Sequence, residues 1–166
     1  MNLRCSAALF LLCVLAIGCN RFSFRSDLKD LMSTKINTPG GQRLSDSLTM
    51  VIYVDSSECT LCRLNNLESY HTFINGAGFD LPIKVIIEPT DSTFQAILDY
   101  QLSAKYSKSI IIDSTLSFRR MVPAVLLDKR FHVFLTYDRY PIFIGDPFSN
   151  QQMMSLFIKS INGFSS

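Results

Sequence analysis

Residues 48–64, LTMVIYVDSSECTLCRL, join an apolar run to a pair of cysteines. Leu48 to Val54 is a short, nearly continuous apolar stretch rich in β-branched residues, the pattern of a strand buried on both faces. Beyond the cysteines, Leu61, Leu64, Leu67, His71 and Ile74 recur at steps of three and four. That spacing predicts one stripe of an amphipathic helix, closed by Asn75-Gly76. Cys59 and Cys62 therefore fall at the joint between a buried strand and its helix. A pair at this spacing can be a structural staple, half of a metal site, or a dithiol that exchanges electrons.

The rest of the chain narrows the setting. At 166 residues it is long enough for one domain with a proper core, and not for two. Apolar residues at 48% against 18% charged exclude a disordered chain, and a net charge of +2 gives no reason to expect nucleic acid as a partner. Near the N-terminus Arg4 precedes the unbroken apolar run Ser6–Ile17, SAALFLLCVLAI. The run is too short to span a bilayer comfortably and suits the apolar core of a signal peptide. The following Leu15-Ala16-Ile17-Gly18-Cys19 resembles the bacterial lipobox, with Ala16 at the place where that pattern usually has leucine. The resemblance implies a signal peptide over residues 1–18, removed before Cys19, and a lipid on Cys19. Of the five cysteines, Cys59 and Cys62 would then be the thiols of the exported domain. Outside a reducing cytosol they would be paired, exchanging with a partner, or bound to metal.

Residues 19–47 read as a polar, lipid-attached tether, with a short helical piece at Asp27–Met32 behind an N-cap at Ser26. The domain proper is expected over 48–166. Leu81–Glu88 reads as a second strand, and Ser92 caps a helix burying Phe94, Ile97, Leu98 and Leu102. Ser109–Ile112, Ala124–Leu127, Phe131–Tyr137 and Pro141–Ile144 read as extended, with Asp128-Lys129-Arg130 turning a hairpin between the middle two. A capping box at Ser149 and Gln152 opens the last helix, whose apolar face is Met153, Met154, Phe157 and Ile161 and which ends at Gly163. The order predicts an α/β protein, a central mixed sheet flanked by helices on both faces.

A CxxC at a strand-to-helix joint, followed after further strand–helix units by a proline heading a hairpin strand, resembles the thioredoxin fold. The matching residues are Cys59, Cys62 and Pro123 in RMVPAVLLDKRFHVFL, and the resemblance covers roughly Leu48 to Ile161. The long interval between Cys59 and Pro123 is similar to that of the TlpA/ResA-like branch, often exported and membrane-attached. The resemblance implies a redox-active disulfide, a proline in cis facing the dithiol, and substrate lying against the backbone of Val122. It implies a cell-envelope, periplasm-facing thiol–disulfide oxidoreductase held to a membrane by its N-terminal lipid. Its partners would be exported proteins with disulfides and an electron donor; no cofactor and no metal are called for.

The chemistry can be argued from the residues as well. The thiolate is the attacking form, and the first turn of a helix favours negative charge. Cys59 is therefore expected to attack, and Cys62, one turn deeper and shielded, to resolve. Glu58 stands where thioredoxins carry an aromatic, and a carboxylate there should oppose the thiolate. Tyr53 occupies the strand position where thioredoxin keeps a buried acid. Glu88 is the nearest replacement, read as a solvated acid at a strand end. Arg119 and Arg120 are expected either to bring positive charge towards Cys59 or to be solvated. Two other readings remain: a Cys59, Cys62, His71 and His132 metal set, and a non-catalytic thioredoxin-fold binding module with a structural disulfide.

Overall fold

A computed structural model of the chain describes residues 28–39, 44–58, 60–90, 109–121 and 128–164. The expected signal segment, Cys19, Ser26, Cys59, Val122, Pro123, the helix expected behind Ser92 and the strand expected over Ala124–Leu127 lie outside the described residues. The protein is α/β. Its five described strands are β1 Thr49–Val54, β2 Ile83–Ile87, β3 Ile110–Ile112, β4 Val133–Tyr137 and β5 Tyr140–Ile144, and they form one mixed sheet in the order β3-β2-β1-β4-β5. β1, β2 and β3 run parallel, β4 is antiparallel to β1, and β5 is antiparallel to β4.

The central strand explains the two layers. All six residues of β1 are buried, as its apolar run predicts. Side chains alternate along a strand, so Met50, Ile52 and Val54 enter one core while Val51 and Tyr53 enter the other. The first core is closed by α1 (Thr60–Asn65), α2 (Leu67–Gly76) and the C-terminal α4 (Gln151–Asn162), through Leu64, Leu67, Tyr70, Ile74, Phe157 and Ile161. The second core is closed by Phe118 of the short α3 (Ser117–Met121), and by Leu31, Ile36 and Leu44.

Those last three correct the expected boundary. Residues 28–32 form a helical turn within the expected Asp27–Met32 piece, but the folded body begins well before Leu48. Ile36 and Leu44 are fully buried, and the Ile36 N–H donates to the Arg139 carbonyl at 2.8 Å. Lys35 pairs with Asp138 at 3.1 Å. Both contacts are with the β4–β5 turn, where Asp138 and Arg139 have φ of 46° and 70°. Two successive positive φ values are the signature of a tight two-residue hairpin.

Two further expectations shift. The single helix after the cysteines is divided at Asn66 into α1 and α2, with the Asn66 N–H shared between the Cys62 and Arg63 carbonyls at 3.2 Å each. The last helix is capped by Asn150, whose side chain accepts the Met153 N–H at 2.9 Å, and Ser149 belongs to the 3₁₀ turn before it.

α3 is too short to stand on propensity alone. Buried Asp113 holds it, accepting the N–H groups of Ser117 (3.0 Å) and Phe118 (2.8 Å). Burial works against the Asp113 anion, but these bonds and the Ser117 and Thr115 hydroxyls outweigh it and hold its carboxyl below the ordinary 3.8. A lowered carboxylate contributes stability that is complete above its ordinary value and drains away as pH falls through the native one. Asp113→Ala is thus expected to lose about 2 kcal/mol at neutral pH in urea unfolding. The loss should shrink as pH drops below about 4, and a constant loss down to acid would remove the charge from this account.

Candidate functional site: a buried polar edge beneath a disulfide

Each parallel strand ends in an acid: Asp55 follows β1, Glu88 follows β2 and Asp113 follows β3. All three are buried. β4 runs the other way, so its first residues, preceded by His132, lie at the same edge; Ile52 pairs with Val133. In open α/β sheets, ligands and chemistry gather outside the carboxyl ends of the strands. Here that edge collects carboxylates that must find partners, because an unpaired buried charge is expensive.

The first cluster forms around Glu58, whose side chain is 5% exposed. Its carboxylate accepts from Arg63 Nε at 2.6 Å and from His132 Nδ1, and His132 is 0% exposed. Arg63 also reaches Asp146 at 3.6 Å, and Tyr70 donates its hydroxyl to Asp146 at 3.1 Å. Burial pushes the Glu58 carboxyl up, but the His132 and Arg63 bonds outweigh it and keep it below its ordinary range. Asp55 is likewise lowered: burial is overcome by the Ser57 hydroxyl and N–H, both at 2.7 Å, and by the fields of His132 and Lys129. The expectation that the Glu58 carboxylate opposes the thiolate, offset if at all by Arg119 and Arg120, is therefore modified: its partners are Arg63 and His132, and Arg119 is paired with Glu88. Its charge is already taken up by a guanidinium and an imidazole.

The second cluster forms around Glu88, 1% exposed. Arg119 grips it with two bonds, Nε at 2.9 Å and Nη2 at 2.7 Å. The Tyr53 hydroxyl donates to the same carboxylate, and the Ser56 N–H approaches it at 3.4 Å. Burial and then the Glu88 bond push the Tyr53 hydroxyl far above its ordinary 10.0, so it stays protonated and donates. Bonds to Tyr53 and Glu88 in turn raise Arg119. Glu88 is thus no solvated strand-end acid, and Arg119 is engaged with it rather than free to solvate. The Tyr53 ring stacks on Phe118 (5.2 Å between centroids) and meets His132 edge-on (5.1 Å), which brings the two clusters into contact.

Over this edge stands Cys62, in the first turns of α1 and disulfide-bonded. Its partner lies outside the described residues. Cys62 is exposed, which corrects the expectation that it is shielded. The physical reason is α1 itself: Leu64 turns into the core, and Cys62, two positions earlier, falls on the opposite side. With Ser57, Glu58, Arg63, Asn66 and Lys129 it lines a surface pocket of about 230 Å³. Arg63 offsets Glu58 in this lining and Lys129 leaves one positive charge in excess; nearby positive charge favours a thiolate once the bond is reduced.

Donor atoms of Asp55, Glu58 and His132 lie within 4.8 Å of one another, and these three would be the ones to hold a metal in this region. Each carboxylate already has protein donors, Ser57 for Asp55 and Arg63 for Glu58. The earlier metal set is not assembled among the described residues: His71, on α2, is not part of the trio. Among the described residues no helix is long and apolar enough to cross a membrane.

Sequence reasoning passed over Asp55 and considered His132 only in the metal alternative, without its bond to Glu58. A signal was present, since each of VD, IE and ID closes an apolar run, but Glu88 meets Arg119, 31 residues on, and Glu58 meets His132, 74 residues on. Comparison of the chain with protein-family models, with curated proteins and with solved structures returns no match.

Proposed function

We propose that this protein is a thioredoxin-like thiol–disulfide oxidoreductase of the cell envelope, exported and held to a membrane through a lipid on Cys19. The observation that carries the reading is a disulfide-bonded, exposed Cys62 at the start of the helix that follows the buried central strand, beside a polar pocket lined by Glu58, Arg63 and Lys129. A staple closing so small a loop as Cys59–Cys62 would contribute little stability, whereas a dithiol gains from this placement.

In the reductive direction, the Cys59 thiolate attacks one sulfur of a substrate disulfide. A new S–S bond forms, the substrate bond breaks, and the second substrate sulfur leaves as a thiolate that takes up a proton. The Cys62 thiolate then attacks the Cys59 sulfur, releasing the first substrate sulfur as a second thiol. The substrate gains two electrons and two protons, and the pair closes to a disulfide. A dithiol partner on the same side of the membrane reopens it by the same exchange.

The test is the reduction potential of the pair, from equilibration of the full chain in detergent with glutathione or dithiothreitol buffers. Reversible cycling between about −270 and −120 mV is expected. A pair that stays closed under strong reductant would instead support a binding module with a structural disulfide.

A further inference from the structure

Glu88 is one of the most deeply buried charged groups described, and the exchange as written does not use it. Its carboxylate joins segments far apart in sequence: the end of β1 through Tyr53, the turn towards the cysteines through the Ser56 N–H at 3.4 Å, and α3 through two bonds from Arg119. Ser56 stands three residues before Cys59 in the chain, and Arg119 four residues before Pro123. Arg119 is 46% exposed, so one edge of its guanidinium faces the buried acid while the rest of the side chain forms surface.

From this geometry we propose that Glu88 is a positioning residue for the exchange: one buried carboxylate that sets α3 in register with the turn leading to the dithiol, so that a polypeptide disulfide is received by both. The inference rests on the thiol–disulfide reading above. Its physical basis is a difference in reach. A small disulfide needs only an accessible sulfur, while a polypeptide chain must also lie across neighbouring surface. Loosening α3 from the turn therefore separates the two classes of substrate. A charged bidentate pair is suited to that task, because it fixes direction as well as distance.

The experiment compares wild type, Glu88→Gln, Arg119→Gln and Arg119→Lys as full chains in detergent. Insulin serves as the polypeptide disulfide, with dithiothreitol as terminal reductant, and dithiobis-nitrobenzoate as the small one. Glu88→Gln and Arg119→Gln are expected to raise KM for insulin about tenfold with kcat changed less than about twofold. Their rate with the small disulfide, and their equilibrium with glutathione from pH 6 to 8, should stay within about twofold of wild type. Arg119→Lys should recover part of the loss. Arg119 is half exposed, so its variants remain informative even where Glu88→Gln fails to fold.

An equal fall on both substrates, a changed glutathione equilibrium or pH slope, or an unchanged insulin KM would each overturn the proposal. A wild-type chain inert towards both disulfides would sink the oxidoreductase reading and this inference with it. A wild type that cycles while both glutamine variants match it would overturn this inference alone.

Discussion

The Cys62→Ser variant is expected to accumulate a covalent mixed disulfide with its substrate, visible as a reductant-sensitive adduct by mass, while Cys59→Ser forms none. Removing the attacking thiol should lower exchange at least about a thousandfold, because the remaining serine is a poor nucleophile at neutral pH. Removing the resolving thiol leaves the first step intact and abolishes the second, so the intermediate persists. The exposure of Cys62 gives this pair of variants a second use. If Cys59→Ser forms the adduct and Cys62→Ser does not, the two roles are exchanged and the chemistry stands. If neither variant forms one and both keep the wild-type rate of unfolding, the bridge does no exchange and is inert.

The second large effect is on stability. His132→Leu is expected to lower the unfolding free energy by about 3 kcal/mol in urea titration at neutral pH. The histidine is fully buried, and its loss removes one of the two groups that compensate Glu58. The leucine cannot supply a donor, so the remaining charge must be carried by Arg63 alone, itself shared with Asp146 at 3.6 Å. Replacing both partners, Glu58→Met with His132→Leu, should be clearly less damaging than the two single losses added together, since no orphaned carboxylate remains. Additive losses would show that the two side chains act through packing and not as a pair. A cost under about 1 kcal/mol for His132→Leu would show that Arg63 suffices.

How much of this was legible depended on the range of the determining interaction. β1 was legible because burial on both faces writes itself into consecutive residues, Thr49 to Val54. The strand–helix joint at the cysteines, the second strand and the Met153–Ile161 face followed from local period in the same way. The fate of the acids was not local. Glu88 looks solvated in sequence because the cation that pairs with it is remote; Arg119, 31 residues on, decides its burial. Glu58 looked like a liability because one of its two partners, His132, is 74 residues away, although Arg63 stands only five residues on. Asn150 displaced Ser149 as the helix cap because Asp146 and Pro147 build a 3₁₀ turn that absorbs the serine. Ile36 and Leu44 looked like isolated apolar residues in a polar stretch, and only the open side of the sheet gives them a place.

The docking of residues 35–36 onto the β4–β5 turn also has a mechanical side. A chain held to a membrane by its first residues receives every tug along that one strand of polypeptide. Under the lipid attachment proposed above, the pull would arrive at the Leu31 packing, then at the Lys35–Asp138 pair and the Ile36–Arg139 bond, before it reached β1. Those contacts are on the end of the sheet opposite to Asp55, Glu58 and His132, since Thr49 pairs with Thr136 and Ile52 with Val133. With the chain so attached, they would act as the clamp on a cable does where it enters an instrument, spending the load at the housing and leaving the Asp55, Glu58 and His132 end slack.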